Sequence, residues 1–509
     1  MSRTIKRIVV LVHLYLGLLL SLVFAIWFVS GIAMVYYRTP VLDDNQKAAF
    51  EKPLPQQITF EEPSSLAALA THWTAVDMLS AAVFEGRPLY RWRLDDGRWQ
   101  AGWADDGARA GFGPEELEPA AARWFAGTDG FRYSGEFDEN TQWTFFRSVR
   151  GHLPLHRFTS GSAFLREEIY FSSQTGEPLI STTPSSRLLY FLGPGLHYAS
   201  FYPIRNRNQL WRDIVNWTSG AGVVLAVTGI IIGLWRFRWT PSQRSQRRIP
   251  FTRFWMRWHH IVGLAVAVPT FTFVLSGLFS MNPGAMFPSI AISEPLMADY
   301  RGSRPSITSL PPAHAGLDSL DFRTHRVDYL QRDSAFHLLA HSGDGQRQRV
   351  GLDADSWRAQ LPFSQATLIA HIESLLDTGV AEAQWLESYD NYYYSRKERY
   401  RPLPVLRLIL DDAQGAWLYI EPTSGELLRQ TERGSRARRW LYNGLHSLDP
   451  QFLLDRPRLW TTVIWSLSLG GLFLSVTGVV LSWRWLKRRF ASPGPARARK
   501  HHFAPGLRT

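Results

Sequence analysis

Apolar residues are not spread evenly along this chain of 509 residues; they collect in four runs, roughly 8–37, 212–235, 259–281 and 459–483. At about 1.5 Å of rise per residue, each run is long enough to cross a hydrocarbon core of ~30 Å as a helix. The first run has the position of a signal peptide. Its apolar core is too long for one and no small-x-small cleavage site follows, so it reads as an uncleaved anchor. Two long polar segments separate the runs, which is why the mean hydropathy is only −0.16.

The polar segments alternate in patterns that predict an α+β fold. In the first, Ser64–His72 reads as a short helical stretch, and Pro88–Leu94 with Arg98–Trp103 as a hairpin closed at Asp95-Asp96-Gly97. Gly113–Phe125 reads as an amphipathic helix, followed by strands at Phe131–Phe137, Leu153–Thr159 and Glu168–Ser172. The second repeats the order with a helix at Ser364–Leu376 and strands at Val380–Tyr389, Pro404–Leu410 and Ala416–Ile420. Thr175-Gly176-Glu177 matches Ser424-Gly425-Glu426, and a glycine at such a turn supplies positive φ. The resulting division is 1–37 (amino terminus and first span), 38–211 (first external domain), 212–235 (second span), 236–258 (loop), 259–283 (third span), 284–458 (second external domain), 459–483 (fourth span) and 484–509 (basic tail). Pro241–Pro250 reads as a short linker between halves, and the tail from Ala491 as disordered.

Charge sets the orientation of these spans. The segments 1–37, 236–258 and 484–509 hold eighteen of the 56 Lys and Arg and no acidic residue, leaving 38 basic against 44 acidic residues elsewhere. The net charge of +12 is thus a topology signal and calls for no nucleic acid. Both termini and the middle loop are expected in the cytoplasm, with both large segments outside.

The two halves repeat each other. His13-Leu-Tyr-Leu-Gly17-Leu returns as His259-His260-Ile-Val-Gly263-Leu, and Ser30-Gly31 as Ser276-Gly277, at an offset of 246. Gly195-Leu-His197 returns as Gly444-Leu-His446, Trp211 as Trp460, Gly222 as Gly471, and Val227-Thr-Gly229 as Val476-Thr-Gly478, at an offset of 249. Of fifteen histidines, only the pairs 13/259 and 197/446 survive this superposition. Imidazoles inside the hydrocarbon boundary are expensive and usually functional, and two at one level of a pseudo-symmetric bundle are what a six-coordinate haem needs. On a helix, Gly17 lies about 40° from His13 and Gly31 returns to its angle, so one face carries a histidine and glycines at two depths. Gly263 and Gly277 stand in the same relation to His259. Helix packing alone would explain such glycines; together with the histidines they form a face for a porphyrin. His260 is the adjacent alternative to His259. The chain has no cysteine, which excludes covalent c-type attachment, thiolate ligation and cysteine-held clusters.

Other features read as structural. His152 and His156 have a zinc-like spacing, but Pro154 lies between them in a strand pattern that would hold them roughly 13 Å apart. The Tyr389–Tyr394 run reads as strand surface. No G-x-G-x-x-G or Walker sequence is present, and no residue stands out as catalytic.

The stretches His13-Leu-Tyr-Leu-Gly17, Tyr389-Asp-Asn-Tyr-Tyr393, Leu403-Pro404, Thr423-Ser-Gly425, Arg439-Trp-Leu-Tyr-Asn-Gly-Leu-His446 and Thr477-Gly478 resemble the PepSY-associated transmembrane helix family of bacterial inner-membrane proteins. The resemblance implies four transmembrane helices with a two-fold repeat and two periplasmic α+β PepSY-like domains. That family is similar to, and includes, iron-regulated membrane proteins and di-haem siderophore reductases. It therefore implies two non-covalent b haems, with His13 and His259 near the cytoplasmic side and His197 and His446 near the periplasmic side. It further implies a ferric siderophore or other ferric chelate as substrate, and a quinol or cytoplasmic flavoprotein as donor. The alternative from another class is a non-redox module whose PepSY domains bind a peptide or partner, as a chaperone, inhibitor or sensor. A transporter fits poorly with spans almost empty of ionisable residues.

The arginine distribution makes a direct prediction. Reporter tags at Ser245 and at the C-terminus should be cytoplasmic, and tags at Gly107 and Gly343 periplasmic. A periplasmic Ser245 would invert the reading.

Overall fold

The computed structural model describes residues 2–490 except 56–57, 67–68, 70–71, 128–129, 140, 162–165, 241–247, 289–291 and 397–399. Most of the Pro241–Pro250 linker, including Ser245, and the tail from Ala491 lie outside the described residues, as does part of the Ser64–His72 stretch. The chain divides into two compact units. One takes in the chain up to Val29, Thr218–Val274 and the chain from Trp465; the other holds Ser30–Trp217 and Leu275–Ile464.

Helices α1 (Arg3–Tyr36), α2 (Asn208–Arg236) and α5 (Pro457–Phe490) are each long and apolar enough to cross a membrane. The third apolar run is expected to form one helix but forms two, α3 (Phe254–Ala265) and α4 (Ala267–Ser280), bent by 68°. Pro269 explains the break: it has no N–H to give the Ala265 carbonyl, and its ring crowds that oxygen. Its repeat partner is Val23, and there α1 runs uninterrupted. Among the described residues a fourth passage therefore exists only if the bent pair counts as one span. Aromatic rings pack on glycine in the first unit. A Cβ on Gly222 would stand 3.1 Å from the Phe24 ring, and the Phe28 ring fills the place a Cβ on Gly471 would take.

The second unit is built on antiparallel sheets. From the first half come β1 (Val76–Phe84), β2 (Arg87–Leu94), β3 (Trp99–Trp103) and β4 (Arg109–Ala110), then β5 (Phe131–Phe137), β6 (Leu155–Ser160), β7 (Glu167–Ser172) and β8 (Pro178–Thr182). The second half supplies β9 (Thr324–Arg332), β10 (Ala335–Ser342), β11 (Arg347–Asp353) and β12 (Ser356–Gln360), then β13 (Val380–Leu386), β14 (Val405–Leu410), β15 (Trp417–Ile420) and β16 (Leu427–Thr431). Strands β5–β8 and β13–β16 make separate four-stranded sheets. Each is backed by one amphipathic helix: Leu117 and Ala121 of Pro114–Trp124 pack on Phe158 and Ile169, while Leu368 and Ile372 of Gln365–Leu375 pack on Leu406 and Leu418.

The other eight strands form one sheet, ordered β12-β11-β10-β9-β1-β2-β3-β4. Its middle seam joins the halves, with Leu79 opposite Tyr329, Ser80 opposite Asp328 and Ala81 opposite Val327. Ser80 and Asp328 are 248 residues apart, within the spread of repeat offsets, so the seam lies on the pseudo-two-fold itself. Unpaired, β1 and β9 would each be the raw edge of a four-stranded sheet. Paired, they share one core with Tyr90, Trp92, Val327, Leu338 and Val350.

Hydropathy alternation finds the β2–β3 hairpin and most strands of the two smaller sheets but not β1 or β9. Central strands lose alternation because both faces are covered, and β9 carries Arg326 and Asp328 in a half-buried ion pair at 3.1 Å, which reads as surface. The Tyr389–Tyr394 run is corrected: β13 ends at Leu386, and the run is a loop. Asp390 accepts bonds from the Tyr392 and Tyr393 amides at 2.7 Å each, which turns the chain inward. Tyr393 is fully buried, stacked 5.1 Å from Tyr419.

The seam can be tested at Val327, which is fully buried. Val327→Asp leaves an uncompensated charge there and should cost about 3–5 kcal/mol, read as a lower midpoint of urea unfolding. An unchanged midpoint would mean that β1 and β9 do not pair.

Candidate functional site

The four repeated histidines come together as two pairs, and every one is held in the same way. In the first unit, His13 Nδ1 lies 3.3 Å from the Leu225 carbonyl oxygen and 3.4 Å from Thr228 Oγ1. A carbonyl only accepts, so Nδ1 carries the proton and Nε2 keeps its lone pair. His259 Nδ1 lies 2.8 Å from Thr477 Oγ1, whose own proton goes to the Leu474 carbonyl at 2.6 Å. The hydroxyl oxygen is then the acceptor, and His259 is fixed in the same tautomer. The residue after each threonine is glycine. A Cβ on Gly229 would stand 2.9 Å from His13 Cε1, and one on Gly478 3.8 Å from His259 Cε1. The two rings are neighbours, with centroids 6.4 Å apart and planes tilted by 54°.

The second unit repeats the arrangement with serine. His197 Nδ1 is 3.0 Å from Ser30 Oγ, and His446 Nδ1 is 3.2 Å from Ser276 Oγ. The following glycines again make room: a Cβ on Gly31 would be 3.7 Å from His197 Cε1, and one on Gly277 3.4 Å from His446 Cε1. The ring centroids are 5.9 Å apart. Widened helical turns accompany both histidines: His197 lies two residues beyond Phe191–Gly195 and His446 inside Arg439–Ser447, a distortion frequent at functional sites. The next carbonyl in each case is tied to the following helix: Trp211 Nε1 donates to Tyr198 O at 2.6 Å, and Trp460 Nε1 to Ser447 O at 3.0 Å.

Gly17 and Gly263 face Leu225 and Leu474, at 3.9 and 3.5 Å from a built Cβ, whereas Gly31 and Gly277 abut imidazoles. His260 points elsewhere than His259, packing edge-on against Phe251 at 5.2 Å. His152 stacks on Trp99 at 4.9 Å, and His156 Nδ1 meets the Tyr133 hydroxyl at 3.1 Å. Among the described residues no group of three or more His, Asp or Glu is disposed to hold a metal ion.

Thr228, Thr477, Ser30, Ser276, Trp211 and Trp460 are the residues that sequence reasoning passed over. Their signal was present, since all six lie in the repeated dipeptides and positions. Only their task was hidden: the four hydroxyls act on a histidine far away in sequence, and the two indoles on the carbonyl that follows one.

The donor set suits a metal held between two imidazoles. Two metal–nitrogen bonds of about 2 Å, with half of each ring, place the centroids of opposed imidazoles about 6 Å apart. The spacings of 6.4 and 5.9 Å match this, and Nδ1 bonded to a neighbouring oxygen is how ligating histidines are oriented. The chain matches the family described as PepSY-associated TM region over residues 10–357. No curated protein matches it.

His152 supplies a prediction of its own. Burial holds its pKa down from 6.5 to about 3, against the upward pull of Glu177. The unfolded chain therefore takes up this proton first, and stability is lost as pH falls from 6.5 toward 3, by up to ~1.4 kcal/mol per unit. In urea unfolding between pH 6.5 and 4.5, His152→Gln should make the pH slope shallower by one proton. An identical slope would contradict the assignment.

Proposed function

The chain belongs to the PepSY-associated TM region family, and from that premise we propose that it is a b-type di-haem protein of the bacterial inner membrane. It passes electrons from a quinol or cytoplasmic flavoprotein to a periplasmic ferric chelate, acting as a ferric-siderophore reductase in iron acquisition. The observation that carries this reading is the pairing of His13 with His259 and of His197 with His446, each imidazole backed by a hydroxyl and a glycine.

Haem iron held by two histidines keeps no open position, and the chemistry it supplies is one-electron transfer rather than oxygen activation. The protein's part is orientation. Thr228, Thr477, Ser30 and Ser276 hold the Nδ1 sides of their histidines, and Nε2 is the atom left to ligate. Gly229, Gly478, Gly31 and Gly277 keep Cβ atoms away from the ring edges. Without cysteine the haems are held by ligation and packing alone. A ferric chelate suits the electron count, because the added electron leaves Fe(II), which hard oxygen donors hold far more weakly than Fe(III). The basic segments 1–37, 236–258 and 484–509 support cytoplasmic termini, with the sheets outside.

Purified protein should be red, with a Soret band that moves on dithionite reduction. Acidified solvent should extract all of its haem, about two per chain. His13→Ala or His259→Ala should remove one haem, and His197→Ala or His446→Ala the other. Thr477→Val should weaken haem retention about 10–100-fold while leaving the fold intact. Colourless protein from haem-replete cells would favour the non-redox module instead.

A further inference from the structure

The second unit contains a cavity of about 1920 Å³, well beyond the ~300–1,000 Å³ of common ligand pockets. Its wall includes Val35–Tyr37, one helical turn beyond Gly31, and Ser447, the residue after His446. One part of the cavity wall is thus continuous in sequence with the His197–His446 pair.

Six arginines line this space: Arg38, Arg93, Arg147, Arg301, Arg304 and Arg396. The carboxylates on the wall are Asp43, Asp77, Asp95, Glu294 and Asp449, and two of them are already shared between guanidiniums. Asp77 pairs with Arg93 and, at 2.8 Å, with Arg301. Asp449 pairs with Arg396 at 2.6 Å and with Arg439 at 2.8 Å. Asp43 is occupied as a helix cap, accepting from the Gln46 amide at 2.8 Å. Charge is therefore unevenly spread, with Arg93, Arg301 and Arg304 grouped around the single carboxylate of Asp77. Among the described residues Arg304 bonds neutral groups alone, donating to the Trp73 carbonyl at 3.1 Å with its guanidinium 5.4 Å from that indole. Burial, and then Arg301, pull its pKa below the ordinary arginine value against the upward pull of Asp77. Arg147 is exposed and, among the described residues, has no acidic partner.

We propose that this cavity binds a polyanionic metal chelate of the carboxylate or catecholate type, through Arg147, Arg301 and Arg304, and discriminates against neutral tris-hydroxamate chelates. The inference rests on the ferric-chelate reading above and narrows its substrate to one charge class. Guanidinium forks match carboxylate and catecholate oxygens in pairs. A neutral chelate of equal size would leave the guanidiniums around Asp77 without an anion and would forfeit that attraction.

The test is calorimetric titration of the full-length protein in detergent with two gallium(III) chelates, a trianionic tris-catecholate and a neutral tris-hydroxamate. Gallium(III) is not reduced under these conditions, so binding is read without electron transfer. The trianion should bind about tenfold or more tightly than the neutral chelate at low salt, and weaken as salt rises. Arg304→Gln and Arg147→Gln should each weaken the trianion about tenfold and leave the neutral chelate unmoved. Arg147 is exposed and without an acidic partner, so its variant keeps the test valid should Arg304→Gln fail to fold. Equal binding of both chelates, binding of neither, or variants that bind the trianion like the parent would overturn the proposal. Colourless protein that binds the trianion would count against the redox function alone, and red protein that binds neither chelate against this cavity alone.

Discussion

The arrangement on which the rest depends is an imidazole held through Nδ1 by an oxygen on a distant segment, beside a glycine that makes room for the ring. It occurs four times, with Thr228-Gly229, Thr477-Gly478, Ser30-Gly31 and Ser276-Gly277. A polar ring in an apolar bundle is tolerable only if its N–H is satisfied. Satisfying Nδ1 leaves the Nε2 lone pair free, so the requirement that makes the histidine bearable also leaves it able to ligate.

The contacts stay within halves, whereas the histidine pairs cross between them. His13 leans on the α2 dipeptide and His197 on the α1 dipeptide; His259 and His446 use their own half in the same way. The rings then meet across the repeat, 13 with 259 and 197 with 446. In the second unit the β1–β9 seam obeys the same two-fold, with Ser80 facing its near-equivalent Asp328. Neither half can finish its site alone, and neither can close its sheet edge alone.

The repeat is imperfect in ways that have physical consequences. Pro269 stands where the first half has Val23, and the helix breaks there into α3 and α4. His152 and His156 have no histidine counterparts, and they serve as packed ring and hydrogen-bond partner. By contrast, Gly176 and Gly425 both hold φ +70°, and each lies against a phenylalanine ring, Phe84 or Phe363, where a Cβ has no room.

The sequence by itself determined the apolar runs, the α+β character of the external segments, the two-fold repeat and the four histidines. Each is a property of composition or of spacing along one element, and such properties are written locally. Tertiary structure alone decided that β1 and β9 join into an eight-stranded sheet, because a strand covered on both faces carries little alternation and its half-buried, paired charges look fully exposed. It alone turned the Tyr389–Tyr394 run into a buried loop, since Asp390 bends the backbone there. It also gave the Ser-Gly and Thr-Gly dipeptides their purpose: repetition marked them, but a hydroxyl's partner about 170 to 220 residues away is set by packing, which no local pattern records.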